Sequence, residues 1–272
     1  MDNLAEKLVF KVLGSGCCVP KTERCSPGYF IKYKDESFLL DCGSGTLRQL
    51  SRAKEDYKTL TGVILSHFHP DHSADFMPLI QALSYTPDFE REDHLLVIGP
   101  PGLEKFVKSL FEIYGFGPKG FEIEFIELDS DKNQNSFTLY RLDKNQNKYE
   151  LTIEAIKGNH TENSIVTKVK YKSNGKYKGL VYSGDTDFDP IIGGFASKIE
   201  LLVLECSFPY KIDKHLTPEE AGKIAEIAQP GRLLLTHFYP PCDNPDIKVQ
   251  HRVKEYYIGQ VLVAQDFTEV II

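Results

Sequence analysis

Four short apolar runs frame this chain: TGVILS (61–66), HLLVIGP (94–100), ELLVLE (200–205) and RLLLTHF (232–238). Each is too short for a buried helix and lacks the polar alternation of a strand with one wet face. Such runs read as strands covered on both faces, which requires helices packed over a sheet. The sequence supplies those helices. FMPLIQALSY (76–85) has Pro78 in its first turn, and PGLEKFVKSLFEIYG (101–115) is amphipathic. HLTPEEAGKIAEIAQPG (215–231) carries Thr217 as cap, Pro218 at the first helical position and Glu220 to close a capping box, with Pro230-Gly231 at its end. TLRQLSRA (46–53) and residues 246–256 also have helical spacing.

The remainder reads as strand and turn. KLVFKVLGSG (7–16) runs into a glycine turn, and YFIKYKDESFLLDCGSG (29–45) holds two strands around Lys34-Asp35-Glu36. FEIEFIELD, SFTLYRLD and YELTIEAIKG alternate with polar turns. DKNQN occurs at 131–135 and again at 143–147, and both copies read as hairpin turns of a meander. Residues 164–185 centre on Asn174-Gly175, a strong hairpin signal. QVLVAQDFTEVII (260–272) closes the chain as a strand or a pair. Strand and helix groups therefore come twice, with no linker rich in Pro, Gly or Ser. The expected fold is α/β: one compact unit over 1–272, of two sheets with helices outside.

Composition narrows the setting. With 41% hydrophobic and 26% charged residues the chain is ordinary for a soluble protein. No apolar run approaches the ~20 residues of a membrane span. The opening MDNLAEKLVFKVLGSG lacks the pattern of a signal peptide, so a cytoplasmic protein with reduced cysteines is expected. Cys17, Cys18 and Cys25 lack C-x-x-C spacing. The net charge is −7 and no dense Lys/Arg cluster is present, so binding of long nucleic acid is not supported.

Chemistry concentrates in ILSHFHPDHSAD (64–75), directly after a buried strand. In an extended segment His67 and His69 point the same way and can grip one cation. Asp71 and His72 follow at a turn and suit a second. Later strand ends add His160, Asp185 and His237. One ion can take His67, His69 and His160, and the other Asp71, His72 and His237, with Asp185 bridging. Each ion then keeps an open position, which marks a catalytic site. His94 and His251 read as surface residues. Phe208, Pro209 and Tyr210, with Tyr239 to Cys242, follow two site strands and read equally as pocket lining or as packing.

SHFHPDH, GNH, SGDTD and LTHF together resemble the metallo-β-lactamase superfamily, a likeness that LGSG and LLDCGSG extend over nearly the whole chain. The resemblance implies a four-layer αββα sandwich with two mixed sheets. It also implies a dinuclear site, usually zinc, with manganese or iron as options, on the seven residues above. A redox di-iron branch has a carboxylate where this chain has His69, and is disfavoured. The opening layout and HLTPEEAG are most similar to ribonuclease Z and related phosphodiesterases, which implies a role for His215 at the scissile phosphate.

Ribonuclease Z proper inserts a long arm between its later histidine and the bridging aspartate. Here His160 and Asp185 are 25 positions apart, with a hairpin between them. The expected activity is hydrolysis of a small or cyclic phosphodiester by water activated between two ions. Asp71 orients that water and His215 serves the phosphate or leaving oxygen. The alternatives are transfer-RNA 3′ processing, hydrolysis of a lactone, thioester or β-lactam, and a non-catalytic metal-bound carrier or sensor. Close relatives are often dimers, so a homodimer is a further expectation by analogy.

Overall fold

The computed structural model describes residues 7–272 apart from 133, 144 and 174. Hydrogen bonding sorts the described strands into two seven-stranded sheets. The first contains β1 (Val9–Gly14), β2 (Gly28–Tyr33), β3 (Glu36–Cys42), β4 (Gly62–Ile64), β5 (Leu95–Gly99) and β6 (Ile123–Glu127). β1 to β3 pair antiparallel, and β3 to β6 run parallel. The second contains β7 (Ser136–Leu142), β8 (Lys148–Lys157), β9 (Ile165–Ser173), β10 (Lys176–Tyr182), β11 (Leu201–Glu205), β12 (Arg232–Thr236) and β13 (Gln260–Val263). β7 to β10 are antiparallel, and β10 to β13 are parallel. The tail divides into two strands. β13 closes the second sheet, while β14 (Glu269–Ile271) crosses to pair with β1.

The apolar runs are buried as their patterns require: β3, β4, β5 and β11 have no exposed position. One core lies between the sheets, built from residues such as Phe10, Tyr29, Leu40, Tyr182, Val203 and Leu234. A second joins the outer face of the first sheet to α1 (Thr46–Arg52), α3 (Phe76–Tyr85) and α4 (Leu103–Tyr114), and the single turn α2 (Pro70–Ser73) stands between β4 and α3. A third joins the other sheet to α5 (Pro190–Phe195), α6 (Pro218–Ala228) and α7 (Val249–Lys254). The layers are therefore helix, sheet, sheet, helix, as expected for the α/β sandwich.

Local chemistry accounts for most boundaries. α6 begins at the expected capping box, where Thr217 accepts from Glu220 N and the Glu220 carboxylate accepts from Thr217 N. It ends at Ala228, with Gln229 in a left-handed conformation, one residue before Pro230. The 246–256 segment divides into a 3-10 turn (Pro245–Ile247) and the short α7. The two DKNQN copies behave differently. The second copy lies between the paired strands β7 and β8, with Lys144 outside the described residues, and Asp143 Oδ1 accepts from the backbone of Asn145 and Asn147, both at 2.9 Å. The first copy also falls in a turn, where Asp129 and Gln134 form an antiparallel bridge with mutual hydrogen bonds of 2.9 and 3.0 Å, but that turn lies on the crossover between the sheets and joins no meander, because β6 and β7 do not pair; Asn133 lies outside the described residues. A polar pentapeptide specifies a turn, not which strands flank it. Asn174 lies outside the described residues; Gly175 has φ +76° and Lys176 pairs with Ser173.

No helix of the described residues is long and apolar enough to cross a membrane. The stretch from 73 to 159 is occupied by α3, β5, α4, β6, β7 and β8.

Candidate metal centre

Four of the candidate segments follow directly on β4, β8, β10 and β12, where buried strands give way to loops. His67 and His69 leave β4 in an extended turn, and Pro70 starts the one-turn α2 that carries Asp71 and His72. Glycine permits the close packing this needs: a Cβ on Gly43 would stand 1.8 Å from the Asp71 carbonyl oxygen. Asp41 and His237 both have φ +58°. That left-handed backbone costs a non-glycine residue about 1–2 kcal/mol, and such strain gathers at functional sites.

All seven candidate ligands converge. His69 Nδ1 lies 3.1 Å from both His67 Nε2 and His160 Nε2. On the other side His72 Nε2 and His237 Nε2 are 3.3 Å apart. Asp71 Oδ2 stands 3.8 and 3.6 Å from those two nitrogens. Asp185 lies between the groups: Oδ1 is 3.2 Å from both His72 Nε2 and His237 Nε2, and Oδ2 is 3.8 Å from His160 Nε2. His94 and His251 are exposed, as expected for surface residues. No potential metal-binding group among the described residues includes a cysteine. Burial pushes the Cys17 thiol up to about 12, away from the thiolate a metal would need.

The partners behind the histidines fix their tautomers. His160 Nδ1 lies 3.0 Å from the Lys214 carbonyl oxygen, which can only accept, so Nδ1 carries the proton. Ser66 Oγ gives its proton to Asp41, so it accepts from His67 Nδ1. Ser207 Oγ gives its proton to Glu205 and accepts from His237 Nδ1. His72 Nδ1 donates to Asp41 Oδ2 at 2.7 Å. In their neutral forms all four rings therefore turn an Nε2 lone pair inward. Lone pairs about 3 Å apart repel unless a cation or a proton lies among them. The buried Asp185 Oδ1 accepts no hydrogen bond, which is costly unless a cation completes it. These residues fit divalent metal.

The electrostatics agree. Burial, with the neighbouring imidazoles, holds His67 well below the usual histidine range. Burial also opposes charge on His72, but Asp185 and Asp41 outweigh it and lift that imidazole well above its ordinary value. Burial likewise opposes charge on Asp185, and His237 and His72 outweigh it and hold the carboxyl well below the carboxylate range. The centre thus offers net negative charge that a proton or a metal ion can neutralise.

His215 lies beside this cluster, its ring 5.1 Å from His160 and 5.9 Å from His237. Its Nδ1 sits 3.1 and 3.2 Å from the two oxygens of the fully buried Glu205. Burial disfavours charge on His215, but the Glu205 carboxylate more than offsets it and raises the pKa. Phe208 stacks on Tyr239 at 4.3 Å beside His215, whereas Cys242 packs against Cys206 in the core. The segments after β11 and β12 therefore serve both as lining and as packing.

Sequence reasoning assigned no role to Asp41, Glu205, Ser66 or Ser207. Asp41 accepts from His72 Nδ1, Ser66 N, Ser66 Oγ and Tyr182 OH, all within 2.8 Å. Glu205 accepts from Ser207, Thr186 N and His215. Each ends, or nearly ends, a wholly buried strand, LLDC or LLVLE. A carboxylate that closes an apolar run must have buried donors, and that was the available signal.

A family model described as a beta-lactamase superfamily domain matches residues 36–238. The chain is 28% identical to a ribonuclease Z of Ignicoccus hospitalis, over 97% of this chain and 98% of that one. It is 29% identical to a ribonuclease Z of Thermococcus sibiricus, over 94% and 93%. Among solved structures it is similar to the metallo-beta-lactamase fold protein YhfI from Bacillus subtilis. That likeness has a TM-score of 0.76 and 26% identity and covers 97% of this chain and 99% of the other.

Proposed function

This chain belongs to the metallo-β-lactamase superfamily, and we propose that it is a dinuclear metal-dependent phosphodiesterase acting on small or cyclic phosphodiesters. The observation that carries the reading is His215. A hydrolase of carbonyl substrates has no need of a part-exposed His215 held by a buried Glu205 beside its metal ligands. A phosphodiester has a poor leaving group, an alkoxide, that must be protonated as it departs.

His67, His69 and His160 would hold one ion, and Asp71, His72 and His237 the other, with Asp185 between them. This imidazole-rich set fits zinc best. Bound divalent ions supply Lewis acidity to the phosphoryl group and acidify the attacking water. Asp71, partly exposed beside the buried His72 and His237, orients that water. Glu205 favours the protonated form of His215, which gives its proton to the leaving oxygen. Asp41, Ser66, Ser207 and the Lys214 carbonyl hold the imidazoles in the tautomer that faces the ions.

The small-substrate part rests on the path between His160 and Asp185, which the β9–β10 hairpin fills. The match to the Ignicoccus relative runs over 299 positions, more than the 272 residues of this chain, so that relative has segments this chain lacks. The net charge of −7 points the same way. The full-length similarity to two ribonucleases Z favours transfer-RNA 3′ processing as the second reading.

Zinc-reconstituted protein assayed on 2′,3′-cyclic and 3′,5′-cyclic mononucleotides, a transfer RNA precursor and a lactone separates these. Turnover of a cyclic nucleotide well above that of the precursor supports the reading. Turnover confined to the precursor moves the chain to the second reading. Turnover of the lactone alone overturns both.

A further inference from the structure

A row of aromatic rings leads from the metal centre to the surface. His237 is 1% exposed. Tyr239 lies 5.7 Å beyond it, Phe208 stacks on Tyr239 at 4.3 Å and 28°, and Tyr210 follows Phe208 at 6.1 Å. Tyr239 and Phe208 are half-buried, and Tyr210 is 55% exposed. The row passes His215, which is 5.7 Å from both Phe208 and Tyr239. The Tyr239 hydroxyl meets Cys18 Sγ at 3.2 Å, which holds the ring from the opposite wall.

Packing explains the inner part of this row and not its outer end. A ring that only filled the core would be covered, yet Tyr210 stands in water with Ile212 and Val19 also exposed nearby in sequence to His215 and Cys18. The steps of 4.3 to 6.1 Å match the spacings at which aromatic rings interact favourably. Such a platform accepts any flat π-face, and base–aromatic stacking tolerates every base.

We propose that Tyr239, Phe208 and Tyr210 form a stacking subsite for the nucleobase of a nucleoside phosphate whose phosphoryl group sits at the metal centre. The proposal deepens the phosphodiesterase reading and rests on it for the identity of the anchored group. It makes the base a determinant of affinity rather than of chemistry. The three rings are binding residues and take no part in proton transfer.

The test is calorimetric binding of adenosine 5′-monophosphate and of ribose 5-phosphate to the zinc-loaded full chain. Both carry the same phosphate and sugar, and only the first carries a base. Wild type is expected to bind the adenosine compound on the order of 10-fold more tightly, the effect of one stacked base. Tyr210→Ala and Phe208→Leu should each cut that preference to about threefold or less, with ribose 5-phosphate bound as before. Tyr210 is exposed, so its replacement leaves folding nearly untouched. Equal affinities in wild type, failure of both compounds to bind, or a preference that survives both substitutions overturns the subsite. Base-dependent binding without any phosphodiester turnover would instead overturn the phosphodiesterase reading and leave the subsite standing.

Discussion

Asp41 Oδ2 lies 2.7 Å from His72 Nδ1, and both side chains are fully buried. The pair joins the end of β3 to the one-turn helix α2. It sets which nitrogen of His72 faces Asp185 and His237. A proposed ligand is thus aimed by a residue that would itself touch no ion.

Asp41→Asn keeps the shape and removes the charge. The expected result is an affinity for zinc about 10–100-fold weaker, the usual cost of losing such a partner. Competition with a chromophoric chelator measures it. A zinc affinity equal to wild type would contradict the role given to Asp41.

Asp185→Ala removes the carboxylate that lies between the two halves of the cluster, with Oδ1 toward His72 and His237 and Oδ2 toward His160. Bound zinc, measured by plasma emission after dialysis, should fall from two per chain toward one or none. Turnover should fall by about 10³-fold or more, as expected when ion placement and nucleophile activation are lost together. Full activity with full metal content would refute the bridging role.

Glu205→Gln tests the origin of the raised pKa of His215. The ordinary histidine value is 6.5, burial lowers it, and the Glu205 carboxylate carries it above that value. A group with a raised pKa keeps its proton further into the alkaline range. As a general acid it therefore sustains activity until pH rises through that pKa. Without that carboxylate only the weaker pull of Asp185 and Asp71 opposes burial, and the pKa falls. The alkaline limb of the kcat–pH profile should move to lower pH in the variant, with the acid limb in place. An unmoved alkaline limb would show that His215 is not the acid.

Gly43→Ala tests the packing that seats α2. The added Cβ would meet the Asp71 carbonyl oxygen at 1.8 Å, a backbone contact that cannot swing away. A loss of about 1–3 kcal/mol in stability is expected by denaturant unfolding, as for other overpacked sites. Activity should fall as well, because Asp71 and His72 move with the helix. An unaltered midpoint would contradict the contact.

Much of this was legible in residue order. The HFHPDH cluster and His237 follow short apolar runs, Asp185 follows β10 and His160 follows the antiparallel β8, and strand ends of such a sandwich gather at one edge. The layers followed from the same runs. The supports were harder to read. Asp41 and Glu205 look like single carboxylates, and only the fold shows that His72 and Ser66 come to Asp41 across 31 and 25 residues and that the loop after β11 turns Ser207 and His215 back onto Glu205. The first DKNQN misled for the opposite reason: its turn chemistry is real, but whether β6 and β7 share a sheet depends on contacts no pentapeptide encodes. The last segment stayed open between one strand and two, because β13 and β14 bury similar residues in different sheets.

Anomalous diffraction at the zinc edge from crystals of zinc-reconstituted protein tests the central claim most directly. Two peaks about 3.5–4 Å apart are expected, one among His67, His69 and His160 and one among Asp71, His72 and His237, with Asp185 reaching both. A single peak, no peak, or zinc bound away from these side chains would contradict it.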